Sequence, residues 1–235
     1  GAFGGSINFS TNEVNKDAYA EVNNSYGSFN SWKNTLKAGS GLVGHFTTDF
    51  RLSRITSDGF IDRASTNLKS FYFTTAYIGK KTSVRLNAFS GKEKTYQAWN
   101  GISEADLKSG NRTINSAGTE KPGEPYKNET DNYIQKHYQL FFNQLITNQL
   151  IFNTTILLTK GEGYYEQYKA NQNYSKYGLP NPPYSGTPVT KSDVIRQLWL
   201  DNDFYGNIFS LQYKDKKTQA TLGGSYTKYD GLHYG

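Results

Sequence analysis

Neither cysteine nor methionine occurs anywhere in the 235 residues of this chain. Without cysteine there can be no disulfide framework and no thiolate metal site. No apolar run approaches the roughly 18 residues that mark a spanning helix, which excludes a helical anchor but not a membrane-crossing strand, whose signal per segment is much weaker. A charged start followed by an apolar stretch is missing too, so no signal peptide is read at Gly1. Lacking an initiator Met, a chain that begins at Gly1 reads as a processed product or a piece of something longer. Aliphatic residues are also scarce: hydrophobic residues make up 35% of the chain and the mean hydropathy is −0.72.

What is there instead is aromatic. The 19 Tyr and 14 Phe sit among Gly, Asn, Ser and Thr, a composition that suits pleated surfaces and turns and does not suit disorder, which depletes aromatics. The net charge of +6 raises the question of nucleic acid. The basic runs are short and scattered, however, at Lys80–Lys81, Lys92–Lys94 and Lys214–Lys217, and two of the three contain an acid. With no basic stripe, nucleic acid is not an expected partner.

The informative signal is a repeated period of two. Phe46, Thr48, Phe50 and Leu52 alternate with Thr47, Asp49, Arg51 and Ser53. Val84, Leu86 and Ala88 alternate with Arg85, Asn87 and Phe89, and Ala220, Leu222, Gly224 and Tyr226 with Gln219, Thr221, Gly223 and Ser225. Such segments have one apolar and one polar face, as half-buried strands do. With the less regular runs they predict nine strands, at 18–27, 31–38, 42–56, 65–78, 81–94, 133–146, 149–163, 203–214 and 217–229. Most exceed the usual globular strand and suit a tilted crossing of a bilayer, which takes about 9 to 11 residues.

The connections alternate in length. Those at 39–41, 79–80, 147–148 and 215–216 are tiny, whereas 57–64, 95–132 and 164–202 are long; only 28–30 breaks the contrast. Outer-membrane barrels show this asymmetry, with short periplasmic turns and long extracellular loops, while a β-sandwich distributes its connections between both ends. The two longest loops are rich in aromatic and amide groups, which give contact area at little entropic cost. Tyr96 and Trp99 in one, and Tyr164, Tyr165, Tyr168, Tyr174 and Tyr177 in the other, are the candidate ligand contacts.

Other chemistry is not supported. His45, His137 and His233 have no metal-ligand spacing, and no metal or cofactor is expected. Asp201–Gly206 begins like a calcium loop, but Tyr205 stands where an oxygen ligand is needed and Gln212 where a bidentate Glu belongs. Glu162 and Glu166 fall in a segment read as a mobile loop, with nothing to raise one pKa, so no acid pair is assigned. No catalytic residue emerges, and an enzyme is not expected.

Several words of the sequence together are more specific. The opening Gly1–Thr11 (GAFGGSINFST) resembles the segment that closes the plug domain of TonB-dependent outer-membrane receptors. Thr95–Ile102, Lys160–Tyr168 and Ile195–Gly206 resemble the barrels of such receptors as found in Bacteroidetes-type bacteria, and the likeness runs over essentially the whole chain. It implies an all-β fold: an antiparallel transmembrane β-barrel portion, about nine strands of a roughly 22-stranded, plugged barrel. Residues 1–16 would be the end of the plug and a junction, and 17–235 the N-terminal part of the barrel. It further implies active import of a scarce large nutrient, a ferric siderophore or another metal chelate such as a corrinoid, across the bacterial outer membrane. The partners would be outer-membrane lipid, the ligand itself, and a TonB–ExbB–ExbD motor acting through the missing plug. On this reading the chain is an internal fragment, since nine strands leave two unpaired edges. The alternatives are a glycan or oligosaccharide uptake receptor, a soluble β-sandwich carbohydrate-binding module and a passive porin. The sandwich requires a more apolar inner face than Gln219, Thr221, Ser225 and Thr227 allow.

Overall fold

A computed structural model describes Gly4 and residues 14–235; most of the stretch 1–16, expected to end a plug, lies outside the described residues. The strands are β1 (Tyr19–Gly27), β2 (Ser31–Gly39), β3 (Phe46–Ser57), β4 (Thr66–Ile78), β5 (Thr82–Tyr96) and β6 (Thr130–Leu145), followed by β7 (Leu150–Asn173), β8 (Pro183–Tyr184), β9 (Thr187–Pro188), β10 (Lys191–Lys214) and β11 (Gln219–Tyr234). A short helix, α1 (Glu104–Lys108), interrupts the longest connection. Nine strands form one open antiparallel sheet in the order β1-β2-β3-β4-β5-β6-β7-β10-β11, and β8 and β9 pair only with each other. Every neighbour in this sheet is also the next long strand in the chain.

Directly paired residues share a face, and the pairing sorts the sequence cleanly. On one face Val22, Leu36, Leu52 and Phe71 stand side by side, as do Val84 and Phe142 on β5 and β6. The other face carries a row of small or polar residues: Asn23, Thr35, Ser53, Ser70, Gly91, Gln135, Gly161, Asn202 and Gly231. This row climbs across the sheet. Asn23 lies at the middle of β1, as the fifth of its nine residues, whereas Gly231 lies near the far end of β11, which runs the same way. Such stagger is the shear that lets a sheet curl into a barrel with tilted strands.

Side chains on the polar face bond across strands. Thr74 Oγ1 donates to Asn87 Oδ1 at 2.7 Å, Asn87 Nδ2 to Gln139 Oε1 at 3.3 Å, and Tyr133 Oη to Asn202 Oδ1 at 3.1 Å. Asn87 is fully buried. A soluble sandwich would place its greasy face inward; here the buried polar groups are on the face opposite the exposed Leu52, Phe71, Leu86 and Leu140.

Along the apolar face, charge begins at a consistent height. Counting from the short-turn end, the first outward charged residue is Arg54 on β3, Lys69 on β4, Lys92 on β5, Lys136 on β6, Lys160 on β7 and Asp203 on β10. From Leu150 to Lys160, or from Lys69 to Ile78, is about ten residues, the length that crosses an apolar bilayer core. β7 and β10 have 24 residues each, so their upper halves extend well past this line.

Four sequence expectations are corrected here. The stretch 164–202 is not one loop: β7 continues to Asn173 and β10 starts at Lys191, leaving 174–190 as the connection. Glu162 and Glu166 lie on a strand and not in a mobile loop. Strand six starts at Thr130, so the other long connection is 97–129. The third strand begins at Phe46, because Gly41 (φ 65°) and Gly44 (φ 61°) take left-handed turns and Val43 closes a bridge back to Phe46.

Candidate functional site

β6 stops where β7 does not. Above Tyr165, β7 pairs with β10 on one side only, leaving the backbone of its other edge without a strand. Connection 97–129 occupies that edge with side chains. Gln97 Nε2 donates to the carbonyl of Glu166 at 3.0 Å. Glu129 Oε2 accepts from the Tyr168 amide at 3.3 Å, and Glu120 Oε1 from the Ala170 amide at 2.9 Å. Lys169 meets Glu120 at 2.7 Å. An edge that would otherwise template further pairing is thereby covered.

The connection is itself folded around Asn115, Arg63 and Tyr96. Asn115 Nδ2 donates to the carbonyls of Asp62 (2.9 Å) and Gln97 (2.8 Å), and its Oδ1 accepts from the Ala117 amide at 3.0 Å. Arg63 Nη2 donates to the carbonyls of Asn115 and Ala117, and the guanidinium lies 5.6 Å from the centre of the Tyr96 ring. Tyr96 Oη donates to the carbonyl of Tyr126 at 2.7 Å. Side chains outside the connection thus tie several of its backbone carbonyls to the end of β5 and to the link between β3 and β4.

Its contact with the sheet centres on Glu166, which is 6% exposed. Oε1 accepts from Tyr126 Oη and Asn128 Nδ2, both at 2.6 Å, and Oε2 accepts from Gln197 Nε2 at 2.7 Å. Burial by itself pushes this carboxyl up, but the three hydrogen bonds and the charge of Lys94 together outweigh it and hold the pKa below the ordinary glutamate value. Tyr126 responds in the opposite sense: burial, then its bond to Glu166 and that residue's charge, push the phenol up to about 12.

The sequence candidates divide into separate groups. Tyr165 points to the polar face and meets Trp99 edge-on, with ring centres 6.0 Å apart at 87°. Tyr164, one residue away, points to the opposite face and packs on Trp199 at 4.5 Å, which stacks in turn on Tyr234 at 6.0 Å. Tyr168 donates to Asp193 and lies 5.9 Å from Tyr126. Tyr174 and Tyr177 form the ends of a single 3-10 turn beyond the end of β7, where Tyr177 Oη donates to Gln172 Oε1 at 3.1 Å. Tyr96 is buried at 7% exposure with its hydroxyl engaged, so its work is to anchor the connection.

Beside Tyr165, on the polar face, lies a recess of about 720 Å³. Glu93, Asp131, Tyr133, Tyr165 and His233 line it together with the apolar Leu198 and Leu200. Its wall is flat because Gly161 and Gly163 lie beneath the Tyr133 ring; a Cβ on Gly163 would overlap the Asn132 carbonyl and come within 2.7 Å of the Tyr133 Cα. Burial raises the carboxyl of Glu93, helped by the charge of Asp131, and burial raises that of Asp131 as well. Glu166, Asn115, Arg63 and the recess carboxylates were not among the sequence candidates; each is a single polar residue whose partners are distant in the chain. Among the described residues no group of three or more His, Asp and Glu side chains could hold a metal ion.

No family model and no curated protein matches the chain by sequence. Several solved structures match by shape. The ferric-catecholate import receptor Fiu of E. coli K12, in its closed form, aligns over 94% of this chain and 33% of its own, with a TM-score of 0.68 at 13% identity. BauA, the ferric preacinetobactin receptor of Acinetobacter baumannii, aligns over 94% and 32%, with a TM-score of 0.65 at 15% identity. The siderophore receptor PiuA of the same species aligns over 94% and 31%, with a TM-score of 0.64 at 11% identity. The chain spans about a third of the length of these receptors, and its nine-stranded open sheet has the fold of a portion of their β-barrels.

Proposed function

We propose that this chain is part of the barrel wall of a TonB-dependent receptor that imports a ferric siderophore across the bacterial outer membrane. One observation carries the reading: the meander of antiparallel strands, with short turns at one end and folded connections at the other, aligns over 94% of its length with receptors for ferric siderophores. The apolar face, about ten residues tall, would meet lipid, and the polar face would line the lumen. Residues 1–16 would close a plug that fills that lumen, and the TonB–ExbB–ExbD motor would act through the plug; 17–235 would be the first part of the barrel. A Bacteroidetes-type source and the status of an internal fragment belong to the same reading. Tyr165, which lines the recess, and Trp99 packed against it would meet the ligand, with Tyr164 and Tyr168 bracing the wall behind them.

Binding by the full-length receptor tests this. Ferric catecholate and ferric hydroxamate chelates, a cobamide and an oligosaccharide are titrated in parallel. A ferric chelate should bind, and W99A/Y165A should weaken it by about tenfold or more, as loss of aromatic anchors does. Binding of the oligosaccharide alone would replace this reading with glycan uptake.

A further inference from the structure

Three cations on the apolar face directly oppose one another. Arg54 pairs with Lys69 across β3 and β4, and Lys69 with Lys92 across β4 and β5. All three are exposed. Like charges placed directly opposite on a sheet are destabilising unless something neutralises them. Elsewhere on this face the protein supplies the counter-charge: Lys136 opposes Lys160, but Glu162 and Asp203 each stand 3.5 Å from one of them. No acid among the described residues does this for the three. Among the described residues Lys69 and Lys92 have no ion pair, and Arg54 reaches only Asn67 Oδ1 at 3.4 Å.

The ground below the row is apolar. Val22, Leu36, Leu52 and Phe71 form the next row toward the short-turn end, with Ser90 closing it below Lys92, and all four apolar residues are exposed. Together with the cations they line a shallow trough of about 530 Å³, with Asn24 and Asn34 beside Arg54 at its rim. The trough is therefore amphipathic in one direction: cationic toward the long connections and greasy toward the turns. A free anion would use only its upper half, and a neutral lipid only its lower half.

We propose that Arg54, Lys69 and Lys92 bind the phosphate of an anionic lipid in the outer leaflet, whose acyl chains lie along Val22, Leu36, Leu52 and Phe71. This rests on the reading of the sheet as an outer-membrane barrel wall. The phosphate bridges the opposed cations through charge-assisted hydrogen bonds, so the repulsion built into the row becomes the binding energy of the site. Arg54 can offer a bidentate fork, while the two lysines act as point charges.

The test uses the full-length receptor containing this chain, reconstituted in phosphatidylcholine nanodiscs doped with bis-phosphorylated lipid A. Lipid retained after detergent washing is counted by native mass spectrometry. The unmutated protein should retain the phosphorylated lipid, R54Q/K69Q/K92Q should lose about tenfold in occupancy, and K136Q/K160Q should lose little. Dephosphorylated lipid A offered to the unmutated protein should also be retained about tenfold less, an arm that needs no variant to fold. Equal retention by the triple variant, equal retention of dephosphorylated lipid, or complete displacement of the lipid by millimolar inorganic phosphate overturns the proposal. A protein that does not fractionate with outer membranes fails at the barrel reading itself, a separate result that removes the lipid site with it.

Discussion

The halves of this sheet on either side of the charge line are held together by different chemistry. Toward the short turns, each of the strands between the edge strands β1 and β11 is paired on both sides, and side chains such as Thr74, Asn87 and Gln139 add bonds across the polar face. Toward the long connections, β7 and β10 outgrow β6, and the exposed edge is closed by Gln97, Glu120 and Glu129. The first half is specified by a pattern and tolerates exchange within it. The second depends on individual amides and carboxylates, each of which leaves a backbone group unpaired if removed.

That contrast can be broken most severely at its boundary. G163V forces a branched side chain into the backbone of Asn132 and Tyr133, and should destabilise the sheet by about 3 kcal/mol or more, seen as a lower temperature of the heat-modifiable band shift in the full-length protein. N115A should instead cost about 2 kcal/mol within the connection alone, because the carbonyls of Asp62 and Gln97 lose their donor. Limited proteolysis between 97 and 129 should accelerate while the barrel transition stays in place; coincident loss of both would erase the distinction between the halves.

Acid and base sharpen the same division. Because the Glu166 pKa is lowered on folding, its contribution is fully present above the ordinary glutamate value and is lost as pH falls through the folded one. Because Tyr126 is raised to about 12, its contribution is complete below the ordinary tyrosine value and disappears as pH climbs through about 12. Hydrogen exchange at the amides of Tyr168 and Ala170 should therefore quicken at both extremes before the amides of β3 to β5 respond. The smallest expected effect is that of Y164A, about 1 kcal/mol from its contact with Trp199, with binding of a ferric chelate less affected than by W99A.

The same division decided what the sequence could reveal. All nine long strands were legible wherever one face had to stay apolar, as in Phe46–Leu52 against Thr47–Ser53. Past the charge line that requirement lapses. Tyr164 and Tyr165, or Glu166 and Gln167, are similar residues on opposite faces, so period two disappears although the strand continues. For this reason 164–173 and 191–202 read as loop. The aromatic words around Trp99 and Tyr165 did mark one place in space, but Tyr164 and Tyr165 were inseparable until register put them on different faces. Glu166 was legible as an acid and illegible as a hub, since Tyr126 and Asn128 lie some 40 residues earlier.

The climbing row of small or polar residues on the polar face has a geometric consequence. From Thr35 through Ser53, Ser70 and Gly91 to Gly161 and Gly231, directly paired positions advance along the strands as the row passes from one to the next. The rings of Tyr133 and Tyr229 lie over Gly161 and Gly231, so large side chains find room on this face only where the row spares them space. In a closed cylinder of tilted strands such a row winds around the wall as a helix.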